Sequence, residues 1–238
     1  MKIKHIFFDL DHTLWDFEKN SELTFHKIFS IHNIELKMED FLAIYKSLNI
    51  TFWKLYREEK VTKEELRYGR LKQTFDRLHY VISDDVIHKL SEDYITYLAD
   101  FNHLFDGTFE ILDYLSKKYQ MHIITNGFHE IQYKKMVNSN IYHYFSQIIT
   151  SESVGLKKPN PKVFLHALEL ADAKKEASIM IGDSLEADVE GALNIGMHAI
   201  HCCFEGQTET KKDIISVNSL LELRQYLEII FRFKFLIH

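Results

Sequence analysis

The segment Asp9-Leu10-Asp11-His12-Thr13 sets two carboxylates one residue apart, directly behind an apolar run. If the chain stays extended there, strand alternation turns Asp9 and Asp11 to the same side. Close carboxylates repel, and a divalent cation relieves the repulsion. Magnesium suits the role, because it takes oxygen ligands and is commonly held by one or two carboxylates plus phosphate oxygens of a substrate. The same five residues also read, more plainly, as a strand end with solvated acids.

Three further segments carry residues of matching chemistry. Thr125-Asn126-Gly127 puts a hydroxyl and an amide before a glycine that opens a turn. Thr125 can donate to a phosphate oxygen, and the turn's backbone N–H groups can help to cradle it. In Lys157-Lys158-Pro159, the proline holds Lys158 out of the helical region. An ammonium fixed beside a phosphoryl group offsets its charge. Lys158 is preferred to Lys157 because it adjoins the proline. In Gly182-Asp183 through Asp188, Asp183 could complete a metal site with Asp9. Asp188 could bind directly, bind through water, or orient a ligand. The competing reading is a helix start whose acids meet the macrodipole. Each segment alone has such an ordinary explanation. Together, an acid pair, a hydroxyl, a lysine and a second acid pair are the parts of a metal-assisted phosphoryl-transfer site.

These residues need elements to hold them. Ile3–Leu10 reads as a buried strand. From 105 onward, helix and strand patterns alternate: strands at Met121–Thr125, Gln147–Thr150, Ser178–Gly182 and Met197–His201, with helices near Phe109–Lys118, Glu130–Asn138, Pro161–Ala171 and Glu186–Ile195. That alternation predicts an α/β fold with a Rossmann-like parallel sheet and helices on both faces. Residues 16–100 carry helical stripes only, among them Phe41, Tyr45, Leu48 and Phe52, with Thr62 and Glu65 as a capping-box pair. The expected organisation is a core of 1–15 and 101–238 with an all-helical insertion at 16–100.

Composition narrows the function. A net charge of −6 disfavours a nucleic acid polymer as partner. No apolar run approaches the ~20 residues that span a bilayer, and the start of the chain lacks a signal peptide, so a cytoplasmic location is expected. The apolar stretch Phe231–His238 is too short for an anchor. The adjacent Cys202 and Cys203 lack disulfide geometry and metal-type spacing, and read as small apolar residues at a strand end. The sequence assigns no oligomeric state.

With these motifs in this order, the chain resembles the haloacid dehalogenase superfamily of phosphohydrolases, over roughly Ile3–Asp16 and Phe105–Cys203. The insertion sits where that family carries its C1 cap, a lid over the active site. The resemblance implies a magnesium-dependent phosphomonoester hydrolase working through an aspartyl-phosphate. Asp9 is then nucleophile and metal ligand. Asp11 is general acid and base, and supplies a backbone carbonyl to the metal. Asp183 is a further metal ligand, with Asp188 supporting the site from behind. Thr125 and Lys158 bind phosphoryl oxygens, and Asn126 contributes its backbone amide. Dehalogenases of the superfamily lack an acid at the place of Asp11, which favours a phosphatase. The branch most similar is the bacterial 5′-nucleotidases acting on pyrimidine and non-canonical nucleotides, so a small phosphorylated metabolite, a nucleotide, is the expected partner. Phosphosugar or phosphoglycolate phosphatases and a phosphosugar mutase are the enzymatic alternatives. A non-catalytic phosphoryl-binding protein is disfavoured by the retention of Asp9, Asp11, Thr125, Lys158 and Asp183. Phe17, Phe52, Trp53 and Tyr56 could stack on a base, although helix packing is the expected role of most. His12 departs from the family's glycine; alternation would point it away from the two acids.

Overall fold

Every residue of β1 (His5–Phe8) is buried, as a strand covered on both faces must be. The structure, a computed structural model, describes residues 2–204 and 213–232. It divides into two compact units, 1–17 with 102–238, and 18–101. In the first unit β1 lies inside a parallel sheet with β2 (Gln120–Thr125), β3 (Gln147–Thr150), β4 (Ser178–Gly182), β5 (His198–Cys202) and β6 (Ser216–Val217). The strand order is β3-β2-β1-β4-β5-β6. Phe8 is level with Ile123 on one side and Ile181 on the other. The chain runs outward from β1 to β3, then returns to continue on β1's other flank. The crevice at the carboxyl ends of β1 and β4 is therefore a topological switch point, where open α/β sheets bind ligands.

The second unit carries most of α1 (Phe17–Ile31) and all of α2 (Met38–Arg57), α3 (Lys63–Arg77) and α4 (Asp84–Tyr97). Its core is aromatic. Phe25 lies 4.8 Å from Phe41 and 4.6 Å from Tyr45, ring centre to ring centre, in edge-on contacts that such rings prefer to face-to-face stacking. The capping box forms: Glu65 N–H donates to Thr62 Oγ1 at 3.1 Å, and Thr62 N–H donates to Glu65 Oε2 at 2.8 Å. Phe52 and Tyr56 are buried, and Phe52 lies against Gly69 so closely that a Cβ there would meet its ring at 2.5 Å.

Around the sheet run α5 (Thr108–Ser116), α6 (His129–Asn138), the single turn α7 (Ser151–Val154), α8 (Pro161–Leu170), the short α9 (Gly191–Asn194) and α10 (Leu223–Arg232). Pro161 opens α8 behind Asn160, whose side chain accepts from Lys162 N–H at 3.0 Å. Phe164 and Ala167 of α8 and Ala192 of α9 pack with Phe7, Ile124 and Met180 of the sheet in one buried cluster. Among the described residues, no helix is long and apolar enough to cross a membrane.

Four expectations need correction. The first strand ends at Phe8, not Leu10: Leu10 O accepts from the N–H of both Leu14 and Trp15 at 2.9 Å, which turns the chain. Alternation therefore does not govern Asp11 or His12. His12 sits at φ 61°, the left-handed region that favours glycine, and its ring packs 4.9 Å from that of Phe17. The helix expected over Glu186–Ile195 is a π-helical turn, Leu185–Glu190, followed by α9. The last core strand closes on Cys202, and both cysteines are buried free thiols. The stretch from 233 to 238 lies outside the described residues.

Candidate active site

Asp9 is the first residue past β1, and its N–H donates to Ile181 O at 2.9 Å, so it stands abreast of Gly182 at the end of β4. Asp183 follows at once. Two neighbouring parallel strands thus deliver two carboxylates to one edge. Thr13, fully buried in the turn after Asp9, donates to Asp183 Oδ1 at 3.4 Å. Behind the strand end, a His201 ring nitrogen, Nε2, lies 2.8 Å from Asp183 O. A carbonyl can only accept, so Nε2 carries the proton.

Asp188 reaches the same place through the π-helical turn. Its Oδ2 accepts from Ser184 N–H at 3.1 Å. Gly182 is glycine for a steric reason: a Cβ on it would lie 2.3 Å from Asp188 Oδ2. One oxygen each from Asp9, Asp183 and Asp188 fall within 4.8 Å of one another.

Lys158 is the cation among them. Only 2% exposed, its Nζ lies 2.7 Å from Asp9 Oδ1, 2.6 Å from Asp188 Oδ1 and 2.6 Å from Ile124 O. Nζ donates to Asp9 Oδ1 and Ile124 O, and faces Asp188 Oδ1 as an ion pair. Burial alone would lower the lysine's pKa, but Asp188 and Asp9 together outweigh it and raise it. The loop is held by Asn126, whose Nδ2 donates to Lys158 O at 3.0 Å and whose Oδ1 accepts from Lys158 N–H at 2.8 Å. The Asn126 side chain therefore works as a brace for Lys158, a part the sequence reading gave only to its backbone.

Three carboxylates against one ammonium leave an excess of negative charge in a dry place. Burial first, then Asp188 and Asp183, hold the Asp9 carboxyl well above the usual range, against the pull of Lys158. Burial and Asp188 push Asp183 up to about 8, again against Lys158. Such a set wants a further positive charge. Its donors are all carboxylate oxygens, which fits magnesium and does not fit a soft, thiolate-preferring metal.

Thr125, buried at the end of β2, accepts from Gln132 Nε2 at 2.8 Å and from Gly127 N–H at 3.1 Å. Two donors use both lone pairs, so the hydroxyl's remaining capacity is its proton.

Asp11 stands apart from the three-carboxylate cluster. Its Oδ1 is 2.6 Å from Lys135 Nζ, and its Oδ2 is 2.9 Å from Gln132 Nε2. Both partners come from α6 and both are buried. The sequence reading did not include them. The signal was available: Ile131, Gln132, Lys135 and Met136 form the inward stripe of α6, where folding alone asks for apolar side chains.

Known proteins resemble this chain in sequence and in fold. The family model described as haloacid dehalogenase-like hydrolase matches residues 6–202. The pyrimidine 5′-nucleotidase YjjG of Escherichia coli (strain K12) is 31% identical over 230 residues, covering 95% of this chain and 99% of its own length. A glyceraldehyde 3-phosphate phosphatase of Methanothermobacter thermautotrophicus is 29% identical over 228 residues, covering 92% of this chain and 93% of its own. The magnesium-bound crystal structure of YfnB from Bacillus subtilis superposes with a TM-score of 0.87 at 27% identity, over 96% of this chain and 100% of that one.

Proposed function

Because this chain belongs to the haloacid dehalogenase-like hydrolase family, we propose that it is a phosphomonoester hydrolase that forms an aspartyl-phosphate on Asp9, with nucleoside 5′-monophosphates as substrates. The observation that carries the reading is the Asp9 carboxylate, buried at the end of β1, held by Lys158 at 2.7 Å and crowded by Asp183 and Asp188.

The steps follow from the groups present. An oxygen of Asp9 attacks phosphorus, and the bond from phosphorus to the leaving oxygen breaks. Asp11 gives that oxygen a proton. Water then attacks the phosphorus, Asp11 takes its proton, and the bond to Asp9 breaks to free phosphate. Thr125 donates its proton to a phosphoryl oxygen. Lys158 holds Asp9 in place and offsets the gathering negative charge. Asp9, Asp183 and the Asp11 backbone carbonyl would hold magnesium, with Asp188 bracing Lys158 and the site. Bound there, the ion lessens the repulsion between Asp9 and a phosphate dianion.

Pyrimidine nucleotides head the list of substrates because YjjG matches nearly end to end. A small phosphosugar is the second reading, favoured by the glyceraldehyde 3-phosphate phosphatase of similar identity. Phosphate release from purine and pyrimidine 5′-monophosphates, glyceraldehyde 3-phosphate and phosphoglycolate separates them. The Asp9→Asn protein should fold and release nothing. Release confined to triose phosphate would discard the nucleotidase, and wild-type rates in Asp9→Asn would discard the nucleophile.

A further inference from the structure

We infer that Gln132 and Lys135 are positioning residues that fix the plane of the Asp11 carboxylate for proton transfer to the leaving oxygen. The inference rests on the hydrolase reading above and extends it to α6.

A carboxylate held at one oxygen can still rotate. Asp11 is held at both, by Lys135 at 2.6 Å and Gln132 at 2.9 Å. The two donors lie three apart on one helix, hence on one face. Gln132 does a second job with the same amide group, donating to Thr125 Oγ1 at 2.8 Å. One side chain therefore links the Asp11 carboxylate to the Thr125 hydroxyl. The backbone is shaped for this: a Cβ on Gly127 would lie 2.4 Å from both Cδ and Nε2 of Gln132. Lys135 is 2% exposed, and its Nζ lies 4.3 Å from the centre of the Trp15 ring and 5.4 Å from that of Phe17. An ammonium and an amide on the inward stripe of a helix are costly to bury. Leucine would pack there at no such cost, but it could not hold Asp11.

The leaving group gives the test. An alkyl phosphate, such as a nucleoside 5′-monophosphate, needs its departing oxygen protonated, whereas p-nitrophenyl phosphate releases an anion that is stable by itself. The value of kcat/KM reports on steps up to departure of that group. For Lys135→Met, kcat/KM on the alkyl ester should fall about 100-fold while that on the aryl ester stays within about 3-fold, as general-acid contributions of 10²–10⁴ lead one to expect. Gln132→Leu, which also frees Thr125 Oγ1, should slow both esters, the alkyl ester by about 10-fold more. Asp11→Asn should show the same split as Lys135→Met, and Lys135→Arg should restore most of the alkyl rate. Equal losses on both esters, or loss on neither, would overturn the inference and leave the hydrolase intact. If Lys135→Met fails to fold, Gln132→Leu decides alone, with a melting curve as control. Wild-type protein that cleaves neither ester would remove the hydrolase reading, and the inference with it.

Discussion

The ammonium of Lys158 lies 2.7 Å from Asp9 Oδ1, across 149 positions of chain. The contact joins the loop before α8 to the end of β1, inside a pocket of carboxylates. Lys158→Met should destabilise the protein by about 3–5 kcal/mol, because breaking a buried pair strands the remaining charge. Its kcat should fall by roughly 10²–10³ with the loss of a fixed cation beside the phosphoryl group. Lys158→Arg should not restore the rate, since a planar fork cannot meet Asp9 Oδ1, Asp188 Oδ1 and Ile124 O at once. Urea melts and phosphate release measure both effects, and a fully active arginine variant would contradict the assignment.

Magnesium should raise the melting temperature, and more at pH 8.5 than at pH 6. Burial and Asp188 push the Asp183 carboxyl up to about 8 in the folded chain, against an ordinary value of 3.8. Between those values the folded state binds more protons than the unfolded one, so metal-free stability falls as pH rises through this window. A divalent cation replaces the lost proton, and chelation with EDTA should reverse the gain. Equal shifts at both pH values would place the ion elsewhere.

Gly182→Ala should cost about 1–3 kcal/mol, the usual range for overpacking a filled site. The new methyl would meet Asp188 Oδ2 at 2.3 Å, so Asp188 must leave Lys158 or the strand must shift. Magnesium affinity should weaken with stability, as calorimetric titration would show. A variant with wild-type affinity would mean that Asp188 is not needed where it stands.

The opposite end of the sheet sets an acid limit. His122 is held down to about 4 by burial and by His5, whose Nδ1 lies 3.2 Å from His122 Nε2. The folded value lies below the ordinary 6.5. The unfolded chain therefore binds more protons between those values. This share of stability is whole above the upper one and drains away as pH falls toward the lower. His122→Phe, beside the Phe7 ring 4.7 Å away, should lose less stability than wild type between pH 7 and 4.5. Parallel urea midpoints would refute this.

What could be read in advance was whatever local pattern decides. The apolar run of β4 ending in Gly182-Asp183 needs no partner to be recognised, and the stripe of α2 declares its period. What could not be read depends on distant atoms. β6 is two residues long and exists through its pairing with β5. The end of β1 at Phe8 is set by the turn closed on Leu10 O, although Leu10 itself continues the apolar run. In the site, Asp9, Thr125 and Asp183 stand at strand ends, where topology makes acids and hydroxyls conspicuous. Gln132 and Lys135 sit mid-helix, and only their mismatch with an inward stripe marks them.

Asp9, Asp11, Gln132, Lys135, Lys158, Asp183 and Asp188 all lie outside Glu18–Phe101. The stretch of gene that codes for Glu18–Phe101 can accordingly diverge without replacing any of these seven side chains. A lineage can keep its reaction under strict selection while that stretch drifts, duplicates or is exchanged.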